Sequence, residues 1–256
     1  MILCQDETTN GYVHEARYLR DLMAAYARGM RDFDSFTCHY FPHRQSFRQF
    51  HHHMVACFLE AIRSEHGGPE NLVLKEPQLT ILFPFLNELF PDARLVCSVR
   101  DPLDAIASLV TVGEKEQMDG VRTVLAKRDM VRLSNIFKAY YAPLLNSGNR
   151  HLLESAIFVR YEDTVQHPDA VVQHLREFTG LELDAVAPDR VIETGNVDFA
   201  EASNEQSRWL TGLFGKPVSS ASVGRHRDVL TQAEIETVRS ECSDFMELFR
   251  MEPACT

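Results

Sequence analysis

The sequence predicts an α/β fold in three layers, a parallel sheet with helices on both faces. Two observations carry this. Short apolar runs at 71–75, 94–99 and 156–159 alternate with longer stretches whose apolar residues recur every three or four positions. The short runs rarely alternate apolar with polar, as half-exposed antiparallel strands do, so they read as strands buried between helix layers.

Each element follows in turn. Residues 14–30 place Ala16, Leu19, Leu22, Met23, Tyr26 and Met30 on one helical face. Residues 45–63 repeat the pattern with Phe47, Phe50, Met54, Val55, Phe58, Leu59 and Ile62, and Gly67-Gly68-Pro69 stops that helix. The run 71–75 is the first strand, ended by Pro77, and a helix over about 79–89 closes at Phe90-Pro91. The run 94–99 is the second strand, and Arg100-Asp101-Pro102 leads into a helix near Leu103. Residues 121–146 predict one long helix, and 156–159 the third strand, ending at Arg160-Tyr161-Glu162-Asp163. Pro168 opens a helix to about Phe178 that Gly180 caps. Residues 184–220 read as irregular and carry Trp209. Thr231, with Glu234 three residues on, forms a capping box for a helix reaching Phe249. Without repeats, low-complexity tracts or a splitting linker, a single domain over 1–256 is expected.

Composition narrows the function. With 26 Lys and Arg against 37 Asp and Glu, the net charge is −11. Sequence-independent nucleic-acid binding needs a basic stripe, which argues against that class. An anion would have to sit in a local pocket of a few Arg, Lys and backbone N–H groups. Six cysteines, at 4, 38, 57, 97, 242 and 255, include no C-x-x-C pair and read as reduced thiols. No run of 18 apolar residues and no secretory signal is present, so a soluble cytoplasmic protein without a membrane partner is expected.

Ligands of open parallel sheets bind at the carboxyl ends of the strands. Lys75, Arg100 and Arg160-Tyr161-Glu162 close the three predicted strands, and Asp6-Glu7 follows the apolar run at 1–4. Arg100 and Ser108, eight residues apart across a strand-to-helix turn, could hold one anion with a guanidinium fork and a hydroxyl. Alternatively, Arg100 pairs with Asp101 or Asp104, and Ser108 merely packs. Lys75 is either a cation at the sheet edge or a partner of Glu76, and Tyr161 either stacks on an aromatic ligand or fills the core. His51-His52-His53, with His39 and His43 nearby, suggest a metal, but successive helical residues point 100° apart, so solvated histidines are expected instead. Gly212-Leu213-Phe214-Gly215-Lys216-Pro217 looks like a phosphate loop, but its glycines are too close and Pro stands where Ser or Thr is required.

Taken together, Lys75-Glu76-Pro77, then 90–96, then Arg100-Asp101-Pro102 with Ser108, then 159–163 with His167-Pro168, then Ser219 to Arg225 resemble the sulfotransferase family in its bacterial and tyrosylprotein-type branch. The resemblance covers roughly 70–249. It implies the P-loop-NTPase-like sulfotransferase fold, here lacking its first strand. It implies 3′-phosphoadenosine 5′-phosphosulfate (PAPS) as donor, with the bisphosphate PAP as product and no metal. Arg100 and Ser108 match the pair that holds the 3′-phosphate. Tyr161 matches a position near the adenine, and Ser222 and Arg225 fall in a block contributing to the cofactor site. Lys75 matches a lysine that stabilises the transition state. Asp6-Glu7-Thr8 looks like the branch's acidic motif, which makes Glu7 the general base; His226 and His14 are the alternatives. Such an enzyme moves a sulfuryl group to a hydroxyl or amine of a small-molecule or peptide acceptor, and a homodimer is compatible with it.

The family's glycine-containing loop, approximately P-R-S-G-T-T, has no counterpart before Glu7. Three explanations are open: a start further upstream, a degenerate or regulatory relative, or a loop supplied by another segment or subunit. The competing functions are a catalytically inactive nucleotide-binding or interaction protein on the same fold, and a P-loop kinase relative, which the missing Walker lysine loop disfavours.

Overall fold

The structure, a computed structural model, describes residues 16–65, 67–68, 71–181, 183 and 219–251. In chain order its helices and strands are α1 (Arg17–Arg31), α2 (Arg44–Glu65), α3 (Phe83–Leu89), β1 (Leu95–Val99), α4 (Pro102–Met118), α5 (Met130–Leu145), α6 (Arg150–Glu154), β2 (Ala156–Arg160), α7 (Tyr161–Gln166), α8 (Pro168–Thr179), α9 (His226–Val229), α10 (Gln232–Glu241) and α11 (Ser243–Leu248). The protein is α/β: among the described residues β1 and β2 form a parallel pair, flanked by helices. Contacts among the described residues divide it into two units, one within 16–95 and 141–157, the other within 96–140, 158–183 and 219–251.

The described residues of the first unit are mostly helical. Leu19, Met23 and Tyr26 of α1 and Phe47 and Val55 of α2 are buried, as the three-and-four spacing requires. Tyr26 is enclosed by Phe47, with ring centroids 5.7 Å apart, and by the edge of Phe85 at 6.1 Å. Burial foremost pushes the Tyr26 phenol up to about 12. The expected first strand is not formed: residues 71–76 carry no strand structure. A strand exists only through a partner's hydrogen bonds, and the described backbone bonds of this run are Ala16 N–H donating to the Lys75 carbonyl at 2.9 Å and Leu79 N–H donating to the Glu76 carbonyl at 3.1 Å. The helix expected over 79–89 is a 3-10 segment, Pro77–Leu82, followed by α3, with Glu76 capping the first through Gln78 N–H.

The second unit holds most of β1 and β2, residues 96–99 and 158–160. β1 buries Leu95, Cys97 and Val99 but exposes its alternate residues, so it is covered on one face rather than two. Asp101 caps α4 by accepting from Leu103 N–H at 2.7 Å, with Pro102 at the first helical position. The helix expected over 121–146 is broken. Arg128 adopts a left-handed backbone (φ 51°), which separates a short 3-10 turn, Leu125–Lys127, from α5. That turn lies directly against α4 at Gly113, where there is no room for a side chain. Gly180 caps α8 in the left-handed region (φ 71°), as expected. The Thr231–Glu234 capping box is present in both directions, but the C-terminal helix is split at Cys242 into α10 and α11. The residues around Trp209 and the 212–217 run lie outside the described residues.

Candidate active site

Arg100 follows the last residue of β1 and Tyr161 the last residue of β2. Because the strands are parallel neighbours, both side chains emerge at the same sheet edge. The Arg100 guanidinium lies over the Tyr161 ring, 4.8 Å from its centroid. Arg100 Nη2 also donates to the Ser222 carbonyl at 2.7 Å, and the Tyr161 and Ser222 hydroxyls are 2.6 Å apart. Three residues far apart in sequence thus form one cluster. Arg100 Nε is buried without a hydrogen-bond partner among the described residues, a vacant donor suited to an anion.

The next layer is acidic. Asp101 N–H donates to Glu162 Oε1 at 2.9 Å. Burial, with Asp104 and Glu162 nearby, raises the Asp101 carboxyl. Asp104 is buried, with 3% of its surface exposed. Its Oδ2 accepts from Gly224 N–H at 2.7 Å, and its Oδ1 accepts from His226 N–H at 2.9 Å and lies 2.8 Å from His226 Nδ1. Burial pushes the Asp104 carboxyl up, but the hydrogen bonds from His226 and Gly224 outweigh this and hold it below its ordinary value. Arg100 therefore pairs with neither Asp101 nor Asp104: one caps α4, and the other holds the 224–226 segment.

The family model described as the sulfotransferase family matches residues 5–185. The chain belongs to the sulfotransferase family. It is also 27% identical over 202 residues to nodulation protein NoeE of Sinorhizobium fredii (strain NBRC 101917 / NGR234). That match takes in 71% of this chain but 45% of NoeE, so the chain spans under half the length of this curated relative.

The remaining residues singled out in the sequence fall as follows. Ser108 is half-buried on α4, one turn beyond Asp104, and no hydrogen bond joins it to Arg100. Arg225 is exposed at the start of α9. Lys75 is exposed in the first unit and, since 71–76 is not a strand, does not close one. Glu7 and His14 lie outside the described residues. His226, weighed as a base, is buried and bound to Asp104. The three consecutive histidines diverge: His51 is buried among rings, His52 reaches the Leu89 carbonyl at 2.9 Å, and His53 is exposed. Among the described residues no group of three His, Cys, Asp or Glu is placed to hold a metal, and Cys38, Cys57 and Cys242 are free thiols. No described helix is long and apolar enough to cross a membrane. Sequence reasoning noted Asp104 only as a partner for Arg100 and missed its bonds to 224–226. Its one sequence signal is a carboxylate in the first turn of the helix that follows Arg100.

Proposed function

We propose that this sulfotransferase uses PAPS and transfers its sulfuryl group to a hydroxyl or amine of a small-molecule or peptide acceptor. The observation that supports this most is Arg100, set at the end of β1 over Tyr161 at the end of the parallel β2, with an Nε donor that has no partner among the described residues. Bound PAPS supplies an activated sulfuryl group and leaves as the bisphosphate. In this reading Arg100 donates to the 3′-phosphate through its guanidinium fork, and Ser108 adds a hydroxyl donor. Tyr161 and Ser222 keep the guanidinium in place, and Arg225 offers a solvent-facing cation to the nucleotide. Glu7 accepts the proton of the attacking hydroxyl or amine, a role worth roughly 10²–10⁴-fold. Lys75 stabilises charge gathering on the transferred oxygens. The resident groups need no metal for these roles.

Calorimetric titration with PAP, against 5′-AMP as control, tests the reading. Preference for the bisphosphate that disappears in Arg100→Ala supports it, and equal binding of the two nucleotides overturns it. With PAPS and an acceptor, Glu7→Gln should bind PAP as the wild type does and lose turnover. Retained turnover would remove Glu7 from the role of base. Bisphosphate preference without turnover for any acceptor would favour a nucleotide-binding protein on the same fold.

A further inference from the structure

Asp104 is as deeply buried as the apolar core around it, yet nothing in the proposed reaction uses it. An unsatisfied carboxylate there would be costly. It is satisfied entirely by one segment: Gly224 N–H on Oδ2, and His226 N–H with the His226 ring on Oδ1. Two residues before Gly224, Ser222 gives its carbonyl to Arg100 and its hydroxyl to Tyr161. The turn from Arg100 to Asp104 and the segment from Ser222 to His226 each span four steps of chain, and they are tied at both ends. One tie ends on Arg100 and the other on Asp104. Without the second, Ser222 is held only by the groups it is meant to orient.

We propose that Asp104 is a positioning residue that seats residues 222–226 on α4, so that Ser222 holds the Arg100 guanidinium ready for the 3′-phosphate of the nucleotide. This rests on the reading of Arg100 given above. Asp104 touches no nucleotide in this account and acts through Ser222 and Arg100. The carboxylate is required, not merely its shape. In an amide of the same shape, either orientation turns an NH₂ group toward a backbone N–H, of Gly224 in one case and of His226 in the other.

The test is Asp104→Asn in the 256-residue chain, read in two ways. The first is the ratio of PAP to 5′-AMP affinity by calorimetry, in wild-type and Arg100→Ala backgrounds. The second is NMR of the ligand-free protein, following the Gly224 and His226 amides and the Arg100 side-chain N–H. The expected result is a loss of about tenfold in the ratio, the size of one charge-assisted hydrogen bond, with 5′-AMP affinity unchanged. No further loss is expected in Arg100→Ala, together with shifts at all three NMR probes. A merely stabilising role would lower the melting temperature and leave the ratio intact, which would overturn the proposal. If Asp104→Asn does not fold, His226→Ala keeps the two backbone bonds and should lower the ratio by about threefold; an unchanged ratio there also overturns it. A wild-type protein without bisphosphate preference defeats the nucleotide reading. In that case an Arg100 signal unmoved by Asp104→Asn, or by His226→Ala, defeats the positioning role separately.

Discussion

Arg100 and Ser222 stand 122 residues apart in the chain, yet Arg100 Nη2 donates to the Ser222 carbonyl at 2.7 Å. The bond joins the end of β1 to the segment that enters α9. Tyr161 completes the triangle from the end of β2, with its ring under the guanidinium and its hydroxyl on Ser222. The two contacts of Tyr161 can be separated. Tyr161→Phe keeps the ring and loses the hydroxyl bond, so it should cost about 1 kcal/mol in urea unfolding. Tyr161→Ala also removes the surface on which Arg100 rests and should cost clearly more. Equal losses would mean that the ring contact contributes nothing.

Arg128 holds a left-handed backbone and donates from Nε and Nη2 to Glu234, from Nη1 to Glu114, and from Nη2 to the Val229 carbonyl. The Arg128 guanidinium foremost, with the Thr231 groups, lowers the Glu234 carboxyl to about 2. A depressed carboxylate stabilises the folded state above its unfolded value of 4.5, and this is lost as pH falls from there toward about 2. Glu234→Gln should therefore cost about 2 kcal/mol at neutral pH. The difference from wild type should shrink steadily in acid, as followed by unfolding at a series of pH values.

His51 has 5% of its surface exposed, and its ring sits 4.5 Å from Phe47 and 5.2 Å from Tyr26 between centroids. Burial lowers its pKa below the ordinary 6.5. On acidification the unfolded chain takes up this proton first, so stability should fall as pH drops below 6.5. Chemical denaturation at stepped pH should show this slope in wild type and a shallower one in His51→Leu.

A methyl group on Gly113 would come within 2.5 Å of the Ala126 nitrogen, a backbone atom that cannot swing aside. Gly113→Ala should push the Leu125–Lys127 turn off α4 and destabilise the protein by roughly 1–3 kcal/mol, despite alanine's better helix propensity. A thermal midpoint equal to or above wild type would show that the turn moves freely.

Much of the local structure was legible in the sequence. The faces of α1 and α2, the strands β1 and β2, the Gly180 cap and the Thr231–Glu234 box each depend on residues a few positions apart. So does the emergence of Arg100 and Tyr161 just past their strands, which the family motifs also mark. Tertiary structure decided the rest. Residues 71–76 had a strand's composition but no strand, because pairing with a neighbour, not composition, makes one. The helical pattern of 121–146 gave way at Arg128, whose bonds to Glu234 bridge 106 residues. The seat of Ser222 on Arg100, and of Gly224 and His226 on Asp104, was likewise beyond local reading. Periodicity and capping report how a segment meets its neighbours within a turn or two, whereas these bonds exist only once the chain has brought distant donors and acceptors into a space that excludes water.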